Sequence, residues 1–99
     1  GDIMTSKQRS KLKSIAANLS PVTQIGKGGI TENLLNTLSE ALEAREIIKV
    51  NVLQNAEADA DTIAQNVAEL LGAEVVYVIG RKAVFYRRSS RKDFEHIEL

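Results

Sequence analysis

The chain is 99 residues long, 43% hydrophobic and 26% charged, a balance that suits one folded domain with a single core and argues against wholesale disorder. It has no cysteine, which excludes disulfides, thiolate metal sites and thiol catalysis together. Thirteen cations balance thirteen acids, and no apolar run approaches the roughly 20 residues that span a bilayer, so a cytoplasmic protein without a membrane segment is expected.

Gly1-Asp2-Ile3 read as a leftover of expression, with the natural chain starting at Met4. Residues 5–19 predict a first helix, because Leu12, Ile15, Ala16 and Leu19 recur at i, i+3, i+4 and i+7. Lys7, Arg9, Lys11 and Lys13 occupy the rest of its circumference. Ser20-Pro21 ends it, since the residue before proline is pushed out of the helical region. Val22 to Ile25 reads as a short strand, and Gly26-Lys27-Gly28-Gly29 as a loop.

Thr31 is the expected N-cap of a second helix with Leu34, Leu35, Leu38 and Leu42 as its buried stripe, ending near Arg45. Glu46 to Leu53 alternates as a strand, placing Ile48, Val50 and Val52 on one face and Lys49 and Asn51 on the other. A third helix follows the acidic stretch 55–61, with Ile63, Val67, Leu70 and Leu71 toward the core and Gly72 as C-cap. Glu74 to Ile79 and Lys82 to Arg88 read as a hairpin turned at Gly80-Arg81, with Phe85 in the core. Residues 89–99 are expected to be a polar, mobile tail outside a domain spanning 4–88. The order α-β-α-β-α-β-β implies a single α/β (α+β-like) domain, a sheet with helices packed on it.

The zero net charge conceals segregation. Residues 1–29 hold five cations against Asp2, and residues 30–76 hold two cations against nine acids. Residues 77–92 hold six cations and no acid, and residues 93–99 hold three acids. Such a chain can turn a basic face to a polyanion and an acidic face to solvent.

The glycine loop is the sharpest feature. Glycines let backbone approach a ligand closely, the loop opens a helix whose free N–H groups favour anions, and Lys27 adds a mobile charge. The same residues also fit a plain strand-to-helix turn. The spacing of a P-loop or a dinucleotide fingerprint is absent. In the hairpin, Arg81, Lys82, Arg87 and Arg88 interleave with Tyr86, a pattern suited to phosphate neutralisation and base stacking. Glu57, Asp59 and Asp61 lack calcium-loop spacing and suit a helix N-terminus. His96 and Ser89-Ser90 read as surface residues with no catalytic neighbours, so no active site, cofactor or metal is expected.

Several of these segments together resemble a known module. They are the basic first helix, Ile25-Gly26-Lys27-Gly28-Gly29-Ile30-Thr31, Ile48-Lys49-Val50, and Gly80-Arg81 leading to Phe85-Tyr86-Arg87. Their combination over residues 4–88 is similar to a CRM domain, the RNA-binding module of chloroplast RNA splicing and ribosome maturation proteins, in its stand-alone bacterial YhbY form. The resemblance implies a four-stranded mixed sheet with flanking helices, as in the C-terminal domain of translation initiation factor three. It further implies binding of ribosomal RNA or a large-subunit precursor. The family's Gly-x-x-G loop falls on Gly26, Lys27, Gly28 and Gly29, comparable in chemistry with the loop of KH domains.

The expected RNA-contacting residues are therefore Gly26, Lys27, Gly28, Gly29, Lys7, Arg9, Lys11, Lys13, Arg81, Lys82, Tyr86, Arg87 and Arg88, converging on one side. The expected partner is RNA, with no membrane and no small-molecule substrate, for a monomer. The competing expectation is a protein-interaction module that joins the ribosome through ribosomal proteins by its acidic middle segment.

Overall fold

The computed structural model describes residues 4–99, so Gly1-Asp2-Ile3 lie outside the described residues. The elements are α1 (Ser6–Ala16), β1 (Pro21–Ile25), α2 (Glu32–Arg45), β2 (Ile47–Val52), α3 (Ala60–Leu71), β3 (Glu74–Ile79) and β4 (Lys82–Tyr86). The α/β order is the one the periodicities predict.

Each helix begins at a side-chain cap. The Thr5 hydroxyl accepts from Gln8 N at 3.1 Å while Gln8 Oε1 accepts from Thr5 N at 3.1 Å, a reciprocal pair that fixes the start of α1. Thr31 accepts from Leu34 N at 3.1 Å, and Asp59 from Thr62 N at 2.7 Å. α1 stops three residues short of the expected 5–19, because Asn18 N and Leu19 N turn back to Ile15 O and Ala16 O ahead of the proline.

The sheet order is β1-β2-β4-β3. α2 carries the chain between the parallel pair β1 and β2, while β4 runs antiparallel to both β2 and β3. The sheet is therefore mixed and four-stranded.

Helices cover both faces. On one face Leu38 and Leu42 of α2 and Ile63, Ala64, Val67 and Ala68 of α3 pack on Ile25, Ile48, Val50, Val52, Ala83 and Phe85. On the other, Leu12 and Ala16 of α1 pack on Ile47, Val76 and Val84. Phe85 is fully buried. Leu70, expected in the core, is 62% exposed. At 100° per residue it lies roughly 100° from the centre of the stripe formed by Ile63, Ala64, Val67, Ala68 and Leu71.

Residues 89–99, expected as a mobile tail, instead fold back onto Glu46. That residue caps α2 with φ +66° and is fully buried. Its carboxylate accepts from Ser89 N and Ile97 N, each at 2.7 Å, and its Oε2 lies 2.5 Å from His96 Nδ1. Its carbonyl accepts from Arg87 N at 2.9 Å. Burial pushes the Glu46 carboxyl up, but the bonds from His96, Ile97 and Ser89 outweigh it and hold it below its ordinary value. His96 is thus a partner of a buried carboxylate and not the free surface residue its sequence neighbours suggest.

Candidate nucleic-acid interface

The loop 26–29 leaves the C-terminal end of β1 and is closed by Gly29 N donating to Gly26 O at 2.9 Å. Its glycines differ in why they are needed. Gly29 has φ +68°, a conformation that L side chains adopt only with strain. Gly26 sits where a Cβ would come 3.1 Å from Leu53 Cδ1 and 3.2 Å from Asn55 Oδ1. Gly28 has neither constraint, since nothing within 4 Å would meet an added Cβ and its φ is not positive. Lys27 projects between them, exposed.

The β3–β4 turn stands at the same end of the sheet. Leu53 N donates to Ile25 O at 2.8 Å and Val52 N donates to Arg81 O at 2.7 Å, so the ends of β1 and β2 and the turn are laced side by side. Arg81 and Lys82 are exposed there, flanking the loop across β2. Three of the expected cations, Lys27, Arg81 and Lys82, therefore share one end.

The remaining expected contacts divide. Lys13 extends over the α1 side of the sheet, its Nζ 5.8 Å from the Tyr77 ring centroid. Lys7 and Lys11, toward the start of α1, line a hollow with Glu98 and Leu99. Tyr86 and Arg88 line a neighbouring hollow with Met4, Glu74 and Ile97. Tyr86 closes β4 at the end opposite Lys82, about 14 Å away along the strand. It is half-buried, and burial together with the charge of Glu46 raises its phenol above the ordinary value. One convergent surface over helix, loop and whole hairpin does not form. The cations make a loop-end group and a far-end group.

Two expected cations serve the fold. Arg9 Nη1 donates to Val75 O at 2.9 Å and Val76 O at 2.6 Å, where the β3–β4 register shifts between Val75 and Tyr77. The irregularity disturbs the ladder, and the guanidinium satisfies carbonyls beside it. Arg87 Nη1 donates to Leu71 O at 2.9 Å, and its Nη2 donates to Ser39 O at 3.1 Å and Ser39 Oγ at 3.0 Å. It also pairs with Glu43 at 3.6 Å. Arg87 thereby ties α2 and α3 to the strand end. Its direction follows from alternation, since it shares with Phe85 the face packed by α2 and α3.

Sequence reasoning passed over two features. Glu46 binds residues 41 to 51 positions further on, a link no local pattern carries. The other is a row of side chains across all four strands on the α1 side, where Gln24 is level with Asn51, Asn51 with Lys82, and Lys82 with Ile79. Alternation gave the face of Asn51 but not its neighbours, which depend on register.

Comparison with known proteins agrees with this architecture. The chain is 42% identical over 97 residues to "Probable RNA-binding protein YqeI" of Bacillus subtilis (strain 168), covering 98% of this chain and 99% of that protein. It is 37% identical over 89 residues to a protein of Haemophilus influenzae named "RNA-binding protein", with 87% of each covered. The solution structure of the hypothetical protein SAV1595 from Staphylococcus aureus superposes with a TM-score of 0.76 at 44% identity, covering 92% of this chain and 95% of that one. The CRS1 / YhbY (CRM) domain matches residues 4–87, and the chain belongs to that family.

Proposed function

We propose that this protein binds ribosomal RNA, or a precursor of the large ribosomal subunit, during ribosome maturation. The loop end of the sheet is its phosphate grip. The observation that carries this reading is the lacing of the glycine loop to the β3–β4 turn through Leu53–Ile25 and Val52–Arg81, which gathers Lys27, Arg81 and Lys82 at one end, with Asp59 lining the hollow beside Arg81. Backbone at Gly28 is free to approach a phosphate, and the loop opens the capped N-terminus of α2, where the helix dipole favours an anion. Lys13 extends the basic surface over the sheet. Lys7, Lys11 and Arg88 form an outlying group that a long RNA reaches second. Tyr86 stands with that group as a stacking surface of limited exposure. Arg9 and Arg87 hold the scaffold.

Contacts of this kind position RNA and do not by themselves read sequence. The relatives' names, which refer to RNA binding, support the partner class. The reading is of a cytoplasmic monomer that binds and does not catalyse. Crosslinking in cells followed by sequencing of the attached RNA tests it. Enrichment of large-subunit ribosomal RNA supports the proposal. Attachment to unrelated transcripts alone, or to protein without RNA, contradicts it.

A further inference from the structure

α1 covers only part of its side of the sheet. We propose that the uncovered part is a second RNA contact, one that holds unpaired bases, beside the phosphate grip of the loop. This rests on the RNA reading above.

The row Gln24–Asn51–Lys82–Ile79 is continuous, because each residue is level with the next on the neighbouring strand. All four point to the α1 side. Their strand neighbours Ile25, Val52, Ala83 and Val78 belong to the opposite core. α1 packs lower on the sheet, on Ile47, Val76 and Val84, and leaves the row open. Gln24, Lys82 and Ile79 are exposed, Asn51 is half-exposed, and Ile79 reaches 65%. Among the described residues the side-chain amides of Gln24 and Asn51 make no intramolecular hydrogen bond, so both forks are available.

The chemistry of the row selects its occupant. The next row holds Lys49 and Tyr77 on either side of Val84, with Lys13 over the tyrosine ring. Neither row contains an acid, and Lys13 and Lys82, with the largely buried Lys49 beside them, favour a polyanion. An Asn or Gln amide both donates and accepts, and so pairs with the exposed hydrogen-bonding edge of an unpaired base. Ile79 offers an apolar surface to a base plane.

Three gaps of roughly 4.8 Å make the row about 14 Å long, comparable with the two or three bases that other four-stranded RNA-binding sheets accept. Gln24 lies two residues before Gly26, and Lys82 follows Arg81. A strand held by its phosphates at the loop therefore passes directly onto the row.

The test uses two single-stranded RNA nonamers, one of mixed sequence and one carrying abasic sugars at its three central positions, measured by fluorescence anisotropy on the full chain. The wild type is expected to bind the intact RNA roughly 5- to 100-fold more tightly, the worth of a pair of amide–base hydrogen bonds. Asn51→Ala and Gln24→Ala should each reduce that ratio while leaving affinity for the abasic RNA within about twofold, and the double variant should abolish it. Lys27→Ala should weaken both RNAs alike. Equal binding of the two RNAs by the wild type, or a preference that survives the double variant, overturns the base-holding row. Failure to bind either RNA overturns the RNA reading itself.

Discussion

Replacing Arg87 with methionine separates a scaffold residue from an RNA contact. The variant keeps the packed stem and removes the guanidinium, deleting the donors to Leu71 O, Ser39 O and Ser39 Oγ. A net hydrogen bond is worth about 1 kcal/mol, and one with a charged donor somewhat more. The side chain is 22% exposed, so water recovers part of the loss at the freed carbonyls, and its half-exposed pairing with Glu43 adds little. The sum is a destabilisation of about 2–4 kcal/mol, or a Tm lower by about 10–20 °C in a domain of this size. Thermal and urea unfolding read this directly. RNA binding by the folded variant, followed across salt concentrations, should keep the wild-type slope. An unchanged Tm together with a slope reduced by roughly 0.7, the loss of one phosphate contact on single-stranded RNA, refutes the scaffold role.

The glycines of the loop should separate by substitution. Gly29→Ala forces a side chain into left-handed backbone and should cost about 1–2 kcal/mol in urea unfolding, whereas Gly28→Ala should leave stability unchanged and weaken RNA binding. Equal effects of the two on stability contradict this division. Glu46 should make the fold acid-sensitive. Its carboxyl is held below the ordinary 4.5, so its contribution is present above that value and is lost as pH falls through the lower folded value. Urea midpoints measured from pH 7 to about pH 3 should therefore show wild type and Glu46→Gln converging in acid. A gap that stays constant with pH removes Glu46 as the cause.

The elements were legible wherever burial is periodic. Leu12 with Ala16, Leu38 with Leu42, and Ile63 with Val67 recur at helical spacing and are buried as that spacing requires. Proline at 21 and glycine at 72 mark element ends for steric reasons that hold in any context. The cations were less legible, because a sequence shows charge but not what each guanidinium reaches. Arg9 and Arg87 have long arms that find carbonyls 16 to 67 residues away in the chain, and only the fold brings those carbonyls near. The tail failed for a similar reason. Residues 89–99 are polar, so their composition suggests solvent, but their backbone amides fasten to Glu46. The cross-strand row needs register, which hydrophobic alternation fixes for each strand separately and not between strands.

The most direct test of the phosphate grip compares two triple variants in the salt dependence of binding to one single-stranded RNA nonamer. Lys27→Ala, Arg81→Ala and Lys82→Ala together remove the loop-end cations, while Lys7→Ala, Lys11→Ala and Arg88→Ala together remove the outlying group. The loop-end variant should lose affinity and lower the slope of log K against log salt by about 2, three contacts at roughly 0.7 each. The outlying variant should change the slope by less than one contact on so short an RNA. A loop-end variant that keeps wild-type affinity and slope, with the loss appearing instead in the outlying one, contradicts the account.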